Sequence, residues 1–241
     1  MSASASAPMP QPHAAAKTAL LAAIVPAPVI LCETYHDVDA PLAPPEAAHI
    51  AGVSARRRAE FATVRHLAGR ALGELGLERP PMVPGPMGEP TWPDGVVGSL
   101  SHCLGYRAAA VARAEEVAAL GIDAEPNRPL ARGVLVRIAS PAERENVDEL
   151  AAALPDVAGD RLLFSIKEAV YKAWFPRARK PLRFADAAVD IRPDGAFMAG
   201  LATGTDGCTE LTGRWAAGGD LLVSAVIVLA GIDGCRSLSR L

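Results

Sequence analysis

Two short segments carry most of the residues that could do chemistry. In Gly121-Ile-Asp-Ala-Glu125 two carboxylates stand two residues apart. On a β-strand that spacing puts Asp123 and Glu125 on the same face. Such a pair can share a divalent cation, and Mg²⁺ favours one or two protein carboxylates completed by phosphate oxygens and water. Alone, the pair reads first as an exposed strand end entering the turn at Pro126. In Phe164-Ser-Ile-Lys-Glu-Ala-Val-Tyr-Lys172, Glu168 and Lys172 are four apart with the acid first. On a surface helix this is an ion pair worth about 0.3–0.5 kcal/mol. Phe164, Ile166, Val170, Tyr171, Trp174 and Phe175 leave little polar surface there. Lys167, Glu168 and Lys172 must crowd onto it, a fitting place for an anion beside a metal. Arg57, Arg65 and His102 add donors suited to phosphate, arginine in a bidentate fork. Individually they read as a solvated helix face and a packed histidine.

The elements that position these residues follow from periodicity. Phe61, Val64, Ala68, Leu72 and Leu75 recur at spacings of three and four, which predicts a helix from Ser54 to Leu75. Ser54 suits its N-cap and Gly76 its left-handed terminus. Arg56, Arg57, Arg58, Arg65 and Arg70 lie off the apolar stripe. A long Pro/Gly-rich loop, 79–98, suggests function or irregular packing. A strand at Val96–Leu100 then leads to Ser101-His102. Tyr106–Arg113 and Val117–Asp123 read as strands joined as a hairpin across 114–116. One or two short helices are expected over 134–153, starting at Ser140-Pro-Ala-Glu143. A further helix runs from about Gly159 to Phe175 and stops before Pro176. Strands fill 183–230, including Gly213–Ala216 and Leu221–Leu229. The reading is α+β, with two similar α/β halves, 17–118 and 119–241, fused as one compact unit behind a disordered tail at 1–16.

Bulk properties agree. The chain has 241 residues, half of them hydrophobic, enough for a substantial core. Its net charge of −3 gives no electrostatic footprint for nucleic acid. Cys32, Cys103, Cys208 and Cys235 are too scattered for a metal knuckle or redox pair and fit a reducing compartment. The apolar run Thr18–Cys32 is too short to span a bilayer and is broken by Pro26 and Pro28; it predicts a first strand, with or without a helical turn before it. A soluble, cytoplasmic protein that binds no membrane is expected.

Taken in order, these segments resemble the 4′-phosphopantetheinyl transferases of the surfactin and enterobactin type, most similarly the actinobacterial branch. The motifs are Arg57-Arg58-Ala-Glu-Phe61, Gly88-Glu-Pro90, Ser99-Leu-Ser-His102, Gly121-Ile-Asp-Ala-Glu125 and Phe164-Ser-Ile-Lys-Glu-Ala-Val-Tyr-Lys172, across about Glu33 to Leu229. The resemblance implies a monomeric pseudo-dimer with its active site in the cleft between the halves. It implies coenzyme A as donor, an acyl- or peptidyl-carrier protein as acceptor, and Mg²⁺, or Mn²⁺ in its place, as the metal. The acceptor serine would attack the β-phosphate, releasing 3′,5′-ADP. Asp123, Glu125 and Glu168 match the metal acids, with Glu168 also accepting the serine proton. Lys172 matches the lysine near the reacting phosphate and Lys167 a neighbouring basic residue. Arg57, Arg65 and His102 match nucleotide-phosphate contacts, and Ser101 lines the same pocket. One position departs. Met87 stands where relatives often carry a lysine that meets the coenzyme's phosphates, leaving Arg56 or Arg58 as candidates to supply that charge. A Mg²⁺-dependent nuclease is the competing enzyme, although its usual motif places lysine two residues after the acid, not four. A relative that binds carriers or coenzyme A without catalysis is the other alternative.

Overall fold

A computed structural model describes residues 19–205 and 208–231; the expected tail at 1–16 lies outside them. After a turn over residues 20–24, β1 (Ile30–Thr34) leads to a short helix, α1 (Pro44–His49), and then to α2 (Ala55–Glu74). The Ser54 hydroxyl caps α2 by accepting from the Arg57 amide at 3.3 Å, and Gly76 follows its end at φ 74°. The predicted stripe, Phe61 through Leu72, is buried against a three-stranded antiparallel sheet. Its strands are β1, β2 (Val96–Cys103) and β3 (Tyr106–Arg113), in the order β1-β3-β2.

The predicted β-hairpin does not form. The turn is there, with the Glu116 amide on the Arg113 carbonyl at 3.0 Å. Beyond it, β4 (Val117–Pro126) leaves the first sheet and pairs with β8 (Leu221–Leu229) in a second one. That sheet has the order β4-β8-β7-β6-β5, with β5 at Ala187–Ile191, β6 at Ala196–Thr205 and β7 at Cys208–Gly218. Burial of both faces accompanies the choice. β4 is buried along nearly its whole length, and so is β8, its ladder partner. The other edge of β4 runs beside β2. There the Ser99 and Ser101 hydroxyls accept from the amides of Ile122 and Ala124 at 3.0 and 2.9 Å. Side chains thus satisfy buried donors that a hairpin ladder would have used.

The two sheets share an apolar core. Ala108, Ala110 and Ala112 of β3 meet Leu120, Ile122 and Ala124 of β4, together with Val223 and Ala225 of β8. Between β4 and β5 come three helices: α3 (Val134–Ile138), α4 (Pro141–Ala153) and α5 (Gly159–Ala178). As α2 covers the outer face of the first sheet, α5 covers the second, burying Leu162, Ile166, Val170 and Trp174. Helix α5 does not stop before Pro176. The ring lacks the amide that would bond the Lys172 carbonyl, but the helix keeps its last turn and ends at Arg179, φ 52°. Among the described residues no helix is long and apolar enough to cross a membrane.

Candidate active site

Gly121 decides how the two motifs meet. It shares its face of β4 with Asp123 and Glu125, and α5 rests on it directly. A Cβ at 121 would lie 2.0 Å from the Ala169 carbonyl oxygen and 2.7 Å from the Ala173 amide nitrogen. Only glycine permits that approach. It brings Lys172 Nζ to 2.7 Å from Asp123 Oδ1 and 3.2 Å from the Ile122 carbonyl. Ser101 also donates to Asp123 Oδ1, at 3.2 Å. Asp123 is buried, and its second oxygen, Oδ2, has no hydrogen-bond partner.

Glu125 and Glu168 complete an acidic surround. Burial pushes the Glu168 carboxyl above the usual range; Lys172 opposes this, and the charges of Asp123 and Glu125 add to it. Glu125 is raised in the same way, by burial and by Asp123, against the pull of Arg161, whose Nη1 lies 2.9 Å from Glu125 Oε2. Three expected ligands therefore feel one another, yet they do not close into a cluster. Among the described residues no three His, Cys, Asp or Glu side chains are gathered closely enough to hold a metal ion. Arg161 pairs with Glu125, and Lys172 pairs with Asp123. What does fit a metal is the donor set: hard carboxylate oxygens, one of them buried and unpartnered, suit Mg²⁺.

A cleft of about 700 Å³ opens beside these groups. Arg57, Arg65 and His102 line one side, Glu168, Tyr171 and Lys172 another, and the loop residues Met87 and Glu89 its rim. Arg57 Nη1 and His102 Nε2 are hydrogen-bonded. Burial lowers the His102 pKa to about 4, with the charges of Arg57, Lys172 and Arg107 adding to the effect, so the ring is neutral at pH 7.

Three predicted contacts sit differently. Lys167 does not face the cleft. It is buried, 2.7 Å from Glu143 of α4, and also donates to the carbonyls of Phe184 and Ala187. Ser101 spends its hydroxyl on Asp123 and the Ala124 amide. Arg65 reaches the cleft wall, but its guanidinium is buried over the Phe61 ring and donates to the Met82 carbonyl at 3.1 Å. Neither arginine proposed to offset Met87 lines the cleft. Arg56 lies near Glu60 at 3.7 Å, and Arg58 donates to the Ile50 carbonyl at 3.2 Å.

Other residues were not foreseen. Buried Glu60 lies 3.7 Å from Arg56, Arg57 and His102 and 3.5 Å from Arg107, gathering four side chains around one carboxylate. Its position three residues after Arg57 was a readable signal. Arg107, opposite His102 in the β2–β3 register, also pairs with Asp37 at 2.8 Å. Arg177 and Arg179, after Pro176, line the cleft, and Arg179 lies 3.8 Å from Glu89.

Comparison with known proteins decides the family. Residues 45–112 match the profile of the 4′-phosphopantetheinyl transferase N-terminal domain, and residues 119–226 that of the 4′-phosphopantetheinyl transferase superfamily. The chain is 48% identical to the 4′-phosphopantetheinyl transferase Svp of Streptomyces mobaraensis, over 88% of this chain and 90% of that one. The chain belongs to the 4′-phosphopantetheinyl transferase family. It is also 42% identical to the transferase PptT of Mycobacterium tuberculosis, over 87% of this chain and 98% of that one. For the transferase Npt of Nocardia iowensis the values are 39%, 86% and 99%. The protein is accordingly an enzyme of the phosphopantetheinyl transferase class.

Proposed function

We propose that this transferase moves the 4′-phosphopantetheine arm of coenzyme A onto a serine hydroxyl of acyl- or peptidyl-carrier proteins. The observation that carries the reading is the unpartnered, buried Oδ2 of Asp123 on the face shared with Glu125, with Lys172 on its other oxygen. Asp123, Glu125 and Glu168 would hold Mg²⁺, the first two from β4 and the third from α5. When bound, Mg²⁺ supplies neutralisation of diphosphate charge, which phosphoryl transfer needs more than covalent help.

The chain's own residues supply the rest. Arg57, with neutral His102 beside it, faces the anionic end of the coenzyme. Arg179, and Arg177 with it, bring to the Met87 side of the cleft the positive charge that Met87 lacks. Lys172 neutralises charge on the reacting phosphate. Glu168, its affinity for protons raised by burial, accepts the serine proton directly or through a water. The serine oxygen forms its bond to the β-phosphorus as the bridging P–O bond breaks, and 3′,5′-ADP leaves.

The halves 17–118 and 119–241 are read as an intramolecular pseudo-dimer. Each would lay one 20-residue helix, α2 or α5, over the outer face of an antiparallel sheet. The enzyme is taken as a monomer, with carrier proteins and coenzyme A as partners and no nucleic acid. The test is intact-mass spectrometry of an apo carrier incubated with enzyme, coenzyme A and Mg²⁺. A carrier heavier by one phosphopantetheine is expected; a panel of apo carriers left unchanged by folded enzyme would overturn the reading.

A further inference from the structure

Helix α5 presents one arginine to the acidic face that the family motifs do not include. Arg161 stands seven residues, about two turns, before Glu168, so both lie on one stripe. Its guanidinium makes three separate contacts. Nη1 donates to Glu125 Oε2 at 2.9 Å, Nε to the Arg128 carbonyl at 3.2 Å and Nη2 to the Pro129 carbonyl at 3.2 Å. The arginine and the glutamate are each about one-fifth exposed (19% for both side chains).

The chain following Glu125 is laced to the start of α5 along its length. Asn127 Nδ2 donates to the Asp156 carbonyl at 2.8 Å, and its Oδ1 accepts from the Ala158 amide at 2.9 Å. Asp160 Oδ2 accepts from the Leu130 amide at 2.9 Å. In that strap Arg161 is the contact that reaches both the backbone and the Glu125 carboxylate. A lysine would carry the same charge but lacks the planar fork that serves three acceptors at once.

We infer that Arg161 is a positioning residue: by gripping Glu125 and the strap at 128–129 together, it holds the carboxylate in place beside Asp123. The inference rests on the reading of Asp123, Glu125 and Glu168 as metal acids. Two opposite effects are separable. As a mere nearby positive charge, Arg161 would repel a divalent cation, so its loss would tighten binding. As a positioning device, its loss would free Glu125 to turn away and would weaken binding.

The test measures Mn²⁺ affinity by electron paramagnetic resonance on full-length protein with coenzyme A present, for wild type, Arg161→Lys and Arg161→Gln. Thermal unfolding of each confirms that it is folded. Positioning predicts Mn²⁺ binding weakened about tenfold in both variants, with transfer at saturating Mn²⁺ partly restored. Wild-type affinity in Arg161→Lys would overturn the inference, because charge would then suffice; so would tighter binding in Arg161→Gln. Wild-type protein that binds no Mn²⁺ would instead overturn the metal reading beneath it.

Discussion

Replacing Gly121 with alanine tests how the site is assembled. The new Cβ would meet backbone, the Ala169 oxygen at 2.0 Å and the Ala173 nitrogen at 2.7 Å, so no side chain can turn aside. Opening the first contact to 3.0 Å, about the shortest a real Cβ shows, moves α5 off β4 by 1.0 Å. The same retreat takes Lys172 Nζ, now 2.7 Å from Asp123, out of hydrogen-bond range. Overpacking of this kind costs about 1–3 kcal/mol. For a chain of this size that lowers Tm by about 2–12 °C. A misplacement of about 1 Å at reacting groups can cost about 100-fold in rate. Circular dichroism on heating gives the first quantity, and the initial rate of carrier modification the second. Gly73 is the control: an alanine Cβ there meets nothing within 4 Å on α2, and Gly73→Ala should stabilise by about 0.4–1 kcal/mol with unchanged rate. A Gly121→Ala protein with wild-type Tm and turnover would refute the claim that this glycine sets the site's geometry.

Three further outcomes follow. Lys167→Met breaks a buried ion pair and should cost about 3–5 kcal/mol while leaving KM for coenzyme A unchanged; a raised KM at wild-type stability would return Lys167 to the coenzyme site. Glu168→Gln should raise Tm at pH 7–8 in metal-free buffer and abolish transfer. The sign follows from the raised Glu168 pKa: as pH climbs past about 4.5 the unfolded chain loses this proton first, so wild type is progressively destabilised and the neutral amide is not. A lower Tm, or retained transfer, would contradict it. Arg179→Ala should raise KM for coenzyme A roughly 2–5-fold, less at high salt, with kcat kept; an unchanged KM at low salt would remove Arg179 from the coenzyme's surround.

Much of this site was legible because its signals are local. Alternation along β4 fixes the shared face of Asp123 and Glu125, and the interval of four in α5 fixes that of Glu168 and Lys172. The cap at Ser54 and the stripe of α2 needed nothing beyond side-chain chemistry. What escaped depends on contacts distant in sequence. A turn at 114–116 does not reveal that β4 will choose β8 over β3, because its ladder partner lies about a hundred residues later in the chain. Lys167 adjoins Glu168, but successive helical residues differ by about 100°. That rotation takes its ammonium to Glu143 of α4, whose approach no local pattern announces. Arg161 was visible by spacing, seven before Glu168, but its acceptors are backbone carbonyls that have no sequence signature.

Asp123 and Glu168 are proposed to serve phosphopantetheine transfer. The intact mass of an apo carrier tests it most directly, after incubation with coenzyme A, Mg²⁺ and wild type, Asp123→Asn or Glu168→Gln, each shown to be folded by circular dichroism. A carrier heavier by one phosphopantetheine is expected with wild type, with the gain lost on adding a chelator and lost in both variants. Wild-type yield from either folded variant, or full yield in the chelator, would contradict it.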